Sequence, residues 1–265
     1  MKRESHIPRP NWPQKMEAVG FGFHSIDGIY WDERACYALT AAEVDTLEAA
    51  TAELHQMSLA TVQHVIDHQL YEHFAIPQEF VPLIETSWRN RDVSLFGRFD
   101  FSWDGNGPPK MLEYNADTPT SLIEASIAQW DWFQDVIVPH QPDADQFNSL
   151  HEKLIARWQT IAAGLPSRTI HFACVGDSEE DVGNLDYLCD TAMQAGIEVR
   201  YIDIKAIGWA TLQKQFVDQT NTPIQTLFKL YPWEWMVREA FGRNLFEAPT
   251  QIIEPAWKML LANKA

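Results

Sequence analysis

The chain has 265 residues, 46% hydrophobic and 12% aromatic, and its 37 acidic against 20 basic side chains give a formal charge of −17. Such a composition supplies enough apolar surface for one large or two medium domains and excludes disorder or a disulfide-stapled mini-fold. The acidity repels phosphate backbones and no Lys/Arg cluster offsets it, so nucleic acid is excluded as a partner. Cys36, Cys174 and Cys189 lack C-x-x-C spacing, which argues against a structural zinc or a disulfide framework and for a reducing, cytoplasmic setting. Neither an apolar leader nor a run of about 18 apolar residues occurs, so no membrane partner is expected.

In chain order, residues 1–38 carry Trp12, Phe21, Phe23, Tyr30 and Trp31 among prolines and glycines, which reads as an extended segment with a short hairpin at Asp27-Gly28, clamped by its aromatics. Thr40 and Glu43 form a capping-box signature, and apolar residues at helical spacing from Val44 to Leu70 predict a long helix that Pro77 ends. His64 and His68 on it have the i, i+4 spacing of a metal pair but no H-E-x-x-H motif, so they read as a solvated face. Two alternating runs, 94–103 and 110–116, flank Asp-Gly-Asn-Gly-Pro-Pro and predict a hairpin.

A helix capped by Thr120 or Ser121 runs through Phe133, and another spans about 145–163. Residues 169–175, 181–195 and 197–203 then read as strand, helix and strand, a unit that implies a parallel pair. A further strand is predicted at 224–231 and a helix at 233–241, where Glu234 reads as a residue favoured by the helix dipole. The fold class is α/β. The division expected is 1–165, 166–248 and 249–265, the last entering an amphipathic helical pattern with no capping signal before Ala265.

The chemistry concentrates in the hairpin. Alternation puts Arg98 and Asp100 on one face of the first strand and Glu113 and Asn115 on one face of the second. If Trp103 pairs with Lys110, Asp100 lies opposite Glu113 and Arg98 opposite Asn115. Two opposed carboxylates repel, and a hard cation between them would relieve this; Asp, Glu and Asn form the all-oxygen set that Mg²⁺ prefers. Arg98 beside them offers a planar fork for phosphate or carboxylate oxygens. The alternative is an ordinary half-exposed hairpin with Arg98 paired to Asp100 or Glu113. The block 115–121, rich in hydroxyls and amides and leading into a helix N-terminus, favours an anion site.

The runs Gly-Arg-Phe-Asp-Phe at 97–101, Leu-Glu-Tyr-Asn-Ala-Asp-Thr-Pro-Thr-Ser at 112–121, Glu-Ala-Ser-Ile-Ala-Gln-Trp-Asp-Trp at 124–132, Phe-Lys-Leu-Tyr-Pro-Trp-Glu-Trp-Met at 228–236 and the segment 246–258 together resemble the glutathionylspermidine synthase family, over essentially the whole chain. The resemblance implies part of an ATP-grasp fold with a Rossmann-like pre-ATP-grasp domain at 166–248. It implies an ATP-dependent ligation of a glutathione-like acid to a polyamine-like amine through an acyl phosphate. Carried over, Asp100, Glu113 and Asn115 would hold Mg²⁺, Arg98, Phe99 and Asp100 would meet ATP, and Arg98 would be catalytic. Thr118 would touch the acid, matching the family in its hydroxyl rather than its identity. Glu179 and Glu180 fall near the family's acidic patch for the polyamine; a solvated helix cap is the alternative for them.

The sequence departs from that family in three ways. Nothing resembles the amidase domain of its bifunctional members, Cys36 having no evident partner His. No G-x-x-x-x-G-K-[ST] loop surrounds Lys229, Lys258 or Lys264. The family chain is expected to continue past the equivalent of Ala265, so residues 249–265 read as the start of a C-terminal ATP-grasp lobe. A non-catalytic binding module is therefore kept as the rival reading, and a different metal-dependent enzyme using Asp100 and Glu113 as a third.

Overall fold

A computed structural model describes residues 1–26 and 28–263. The predicted turn at Asp27-Gly28 thus falls partly outside the described residues. The N-terminal segment is less extended than expected: strand β1 (Lys2–Ser5) is followed by helix α1 (Trp12–Ala18) before strand β2 (Ala35–Ala38) returns antiparallel to β1. The prolines disguised α1. Pro13 falls in its first turn, where a missing N–H costs nothing. The expected aromatic clamp is present, with Phe21 edge-on to Phe23, Tyr30 and Trp31 and completely buried.

Helix α2 (Ala41–His68) starts at the predicted capping box: the Thr40 side chain accepts from the Glu43 N–H, and Glu43 Oε2 accepts from the Thr40 N–H at 2.8 Å. It ends well before Pro77, because Gln69 takes a left-handed conformation and the chain turns into a short 3₁₀ segment at Tyr71–Phe74. His64 and His68 are exposed on it, and His68 Nδ1 lies 2.9 Å from the His64 carbonyl, in keeping with a solvated face. Helix α3 (Val81–Asn90) precedes the hairpin of β3 (Arg98–Ser102) and β4 (Lys110–Asn115).

After the hairpin, a π turn at Glu124–Ala128 leads into helix α4 (Gln129–Val136), and α5 (Leu150–Ala162) begins five residues later than the predicted start. The expected strand, helix, strand unit follows as β5 (Thr169–Cys174), α6 (Glu179–Gln194) and β6 (Glu198–Asp203), with β5 and β6 parallel. The small antiparallel pair β7 (Gly208–Ala210) and β8 (Gln215–Val217) comes next. Strand β9 (Thr226–Lys229) and a one-turn helix α7 (Trp233–Met236) are shorter than predicted, the chain beyond α7 breaking into turns. Strand β10 (Gln251–Ile253) and helix α8 (Met259–Ala262) complete the order.

The main sheet is parallel throughout, in the order β10, β9, β5, β6. Its fourth strand thus comes from beyond residue 248. Both faces are covered, as a parallel sheet requires. On one face Ile170, Phe172, Cys174, Phe228 and Ile253 meet Trp158 of α5 and Leu185 and Leu188 of α6. On the other, Ala173, Ile202 and Leu227 meet α2, α3 and the segment around Trp257. Phe23 reaches this core because residue 183 is glycine: a Cβ there would stand 2.5 Å from the Phe23 ring. No helix among the described residues is long and apolar enough to cross a membrane.

Candidate metal and phosphate site

The observed register puts Arg98 opposite Asn115 and Asp100 opposite Glu113, as predicted. Beyond Asp100 it shifts by one, so Lys110 pairs with Ser102 rather than Trp103, and exposed Leu112 is the extra residue of a bulge. The irregularity lies on the loop side of the four polar residues and leaves their pairing intact. Gly97, just before β3, admits the Tyr114 ring, which a Cβ would approach to 2.6 Å. Tyr114, buried, stacks on half-buried Phe99 at 4.0 Å between ring centroids, on the face opposite the four polar residues.

On the polar face Arg98 grips Asp100 through two bonds, Nε to Oδ1 at 2.9 Å and Nη2 to Oδ2 at 3.2 Å. Its Nη1 donates to the Thr120 carbonyl at 3.3 Å and to the Ser121 hydroxyl at 3.2 Å. Asn115 Nδ2 donates to Glu113 Oε1 at 2.7 Å. Each residue is thus oriented by a neighbour on the same face while Arg98 and Asp100 stay about one-third exposed, at 34% and 36%. Ser121 holds a left-handed φ of 67°, a conformation that costs a non-glycine residue about 1–3 kcal/mol and collects at functional sites. The helix that follows is capped from elsewhere in the chain: the Leu122 N–H bonds to Asn184 Oδ1 at 3.1 Å instead of to Thr120 or Ser121.

Thr118 and Asn115 line one cavity of about 440 Å³ together with Asp117, Glu234 and Arg238. Glu113 lines a separate, open groove of about 510 Å³ between α2 and β4. Beneath the first cavity lies a buried ion pair the sequence did not suggest. Lys229 Nζ, fully buried, sits 2.5 Å from Asp117 Oδ1, and Asp117 Oδ2 accepts the Trp233 N–H at 2.7 Å. Burial pushes the Lys229 ammonium below the usual lysine range, against the pull of Asp117. A second buried pair, Lys258 with Glu254 at 2.7 Å, braces the approach to the hairpin, where Glu254 Oε1 accepts the Leu95 and Phe96 N–H groups.

Glu180 and Glu179 differ in setting. Glu180 is half-buried, and its charge reaches Glu124 and Tyr30; Glu179 is exposed at the first position of α6 and lies outside that group. Glu124 is the residue that sequence reasoning passed over. It is 7% exposed, opens the π turn, and accepts the Tyr30 hydroxyl on Oε1 at 2.8 Å, while its buried Oε2 has no hydrogen-bond partner. Burial first, and then Glu180, push its carboxyl above the usual range, with Tyr30 and Arg98 opposing. Tyr30 is pushed up to about 12 by burial and by its bond to Glu124. An acid among small and apolar residues was the signal available in sequence, and the structure adds a π turn, a feature frequent at functional positions.

The oxygen atoms on this face have the chemistry that a divalent cation takes, with Asp100 paired to Arg98 in the structure. Asp100, Glu113 and Asn115 offer oxygen donors on one surface beside a guanidinium, which fits the hard-cation preference of Mg²⁺ and a bound phosphate next to it.

These features define an α/β protein with a parallel sheet and a charged hairpin. The sequence matches the family described as glutathionylspermidine synthase preATP-grasp over residues 3–265, and the chain belongs to that family. It is 43% identical, over its whole length and 68% of the relative's, to a Haemophilus influenzae protein named "Putative acid–amine ligase". With the bifunctional glutathionylspermidine synthetase/amidase of Escherichia coli the identity is 26%, over 86% of this chain but only 40% of that protein. Its fold is shared with a glutathione synthetase-like effector from Globodera pallida, with a TM-score of 0.53 over 97% of this chain and 66% of that one, at 10% identity.

Proposed function

We propose that the chain takes part in ATP-dependent ligation of a small acid to an amine, with residues 1–165 supplying the metal and phosphate hairpin and the segment from 166 supplying the Rossmann-like unit. The observation that carries this reading is the face on which Asp100 opposes Glu113 and Arg98 opposes Asn115. Family membership supports a ligase of this type. Asp100, Glu113 and Asn115 would hold Mg²⁺, which when bound supplies positive charge to the phosphate oxygens of ATP.

The chain's own groups do the positioning. Arg98, held by Asp100, Thr120 and Ser121, presents its guanidinium to the transferred phosphoryl group, where charge develops as the acid is activated to an acyl phosphate. Phe99 fixes the strand by stacking on Tyr114 and so sets the backbone that faces the nucleotide. Thr118 donates its hydroxyl to the acid within the cavity it shares with Asn115 and Arg238. Glu124 Oε2, buried without a partner and reinforced by Glu180, accepts the ammonium of the amine, and its raised proton affinity suits it to take up that proton as nitrogen becomes the nucleophile. Glu179 at the helix start adds attraction for a polycation at longer range.

The test is ADP release with a γ-glutamyl peptide and a polyamine as substrates. Asp100→Asn is expected to abolish substrate-dependent release, and turnover indifferent to that substitution would overturn the site.

A further inference from the structure

The β1–β2 ribbon brings Cys36 beside two side chains from about thirty residues earlier in the chain. Glu4 pairs directly with Cys36 across the two strands, and His6 lies two residues beyond Glu4 on the same face. His6 Nε2 is 3.3 Å from Cys36 Sγ, and one donor atom from each of Glu4, His6 and Cys36 lies within 4.8 Å of the others. This is the one such trio of His, Cys, Asp or Glu found among the described residues. Cys36 therefore has a histidine neighbour after all, 30 residues earlier in the chain.

Two uses of such a pair can be separated. An activated cysteine nucleophile needs its thiol pushed down, and here burial, reinforced by the Glu4 carboxylate, pushes the Cys36 thiol up. A third, anionic donor beside the thiol and imidazole is what a cation would use. We propose that Glu4, His6 and Cys36 form a binding site for a borderline-soft divalent cation, Zn²⁺ being the natural occupant, with water as the fourth ligand. The donor set of one thiolate, one imidazole and one carboxylate is drawn from the three ligand types zinc takes. Bond lengths of about 2.0–2.3 Å in a tetrahedron put nitrogen and sulfur about 3.5 Å apart, close to the 3.3 Å already present. Binding forms the Zn–S, Zn–N and Zn–O bonds and releases the Cys36 thiol proton to solvent.

The surroundings hold the donors in place. The His6 ring stands edge-on to Trp132 at 5.2 Å, and its backbone N–H bonds to the Arg34 carbonyl at 2.8 Å. Arg9, three residues on, is clamped by Glu33 at 2.6 Å and Asp131 at 2.7 Å, which fastens the ribbon to α4. Lys2 occupies Glu4 Oε1 at 2.8 Å and is the group a cation must compete with. A two-stranded ribbon is marginal by itself, and a metal bridging its strands would staple it.

The experiment is a Co²⁺ titration of the reduced, chelator-treated chain. The expected result is a near-ultraviolet sulfur-to-cobalt charge-transfer band with tetrahedral visible bands, bleached by Zn²⁺. Cys36→Ser is expected to abolish the charge-transfer band, and His6→Ala and Glu4→Gln to weaken affinity by about tenfold or more. Absence of the band, or its survival in Cys36→Ser, overturns the proposal. Should that variant fail to fold, iodoacetamide labelling of the unaltered chain decides: Zn²⁺ must slow alkylation of Cys36 as read by peptide mass spectrometry, and an unchanged rate refutes the site.

Discussion

The parallel sheet and the β3–β4 hairpin handle charge in opposite ways. In the sheet region two lysines are hidden and paired. Lys229 and Lys258 are 0% and 1% exposed, each matched to a buried acid. On the hairpin the four charged and amide groups stay at the surface, oriented by one another but not sealed from solvent. Removing one partner of a buried pair strands the other in a medium that cannot solvate it, whereas an exposed pair can be broken at little cost to folding. The two buried lysines therefore brace the fold, whereas the hairpin's groups can be altered at small cost to folding.

That contrast can be broken experimentally, and the buried pair should give the greatest effect. Lys229→Met should destabilise the chain by about 3–5 kcal/mol in urea denaturation, because Asp117 would keep only the Trp233 N–H as a partner. A loss below about 1 kcal/mol would mean that the buried pair is not the brace it resembles.

Next comes a change of sign. The folded state holds the Glu124 proton more tightly than an ordinary glutamate does, so stability from this group is greatest below the usual Glu range and falls as pH rises through its raised folded value. Glu124→Gln keeps an acceptor for Tyr30 and should be more stable than the parent above that window, with the gain vanishing as pH drops through it. Thermal melts across a pH series measure this. A variant less stable than the parent at neutral pH would refute the strained-carboxylate account.

Smaller effects follow. Thr40→Ala removes a helix cap and should cost about 1 kcal/mol by the same denaturation assay. Arg98→Met should cost less still, under about 1 kcal/mol, since its pair with Asp100 is partly exposed. Yet this least destabilising change should remove nucleotide binding.

How much of this was legible in sequence depends on range. The hairpin register could be counted from the turn because alternation and Gly/Pro chemistry are local, and the bulge at Leu112 altered only the loop-proximal pairs. The α2 cap and the strand, helix, strand unit were legible for the same reason. The end of α2 was not, since Gln69 carries no left-handed signature and Pro77 looked like the stronger stop. Lys229 with Asp117, Cys36 with His6, and Tyr30 with Glu124 are separated by 112, 30 and 94 residues. Only tertiary packing brings such groups together, and no spacing rule anticipates them.

If the face formed by Arg98, Asp100, Glu113 and Asn115 is a metal and phosphate site, calorimetric titration with Mg-ATP will reveal it. The folded chain should give a measurable heat of binding at millimolar ligand, lost in Asp100→Asn and Glu113→Gln while their circular dichroism spectra remain native. A folded chain that binds no Mg-ATP, or variants that bind it as well as the parent does, would contradict that assignment.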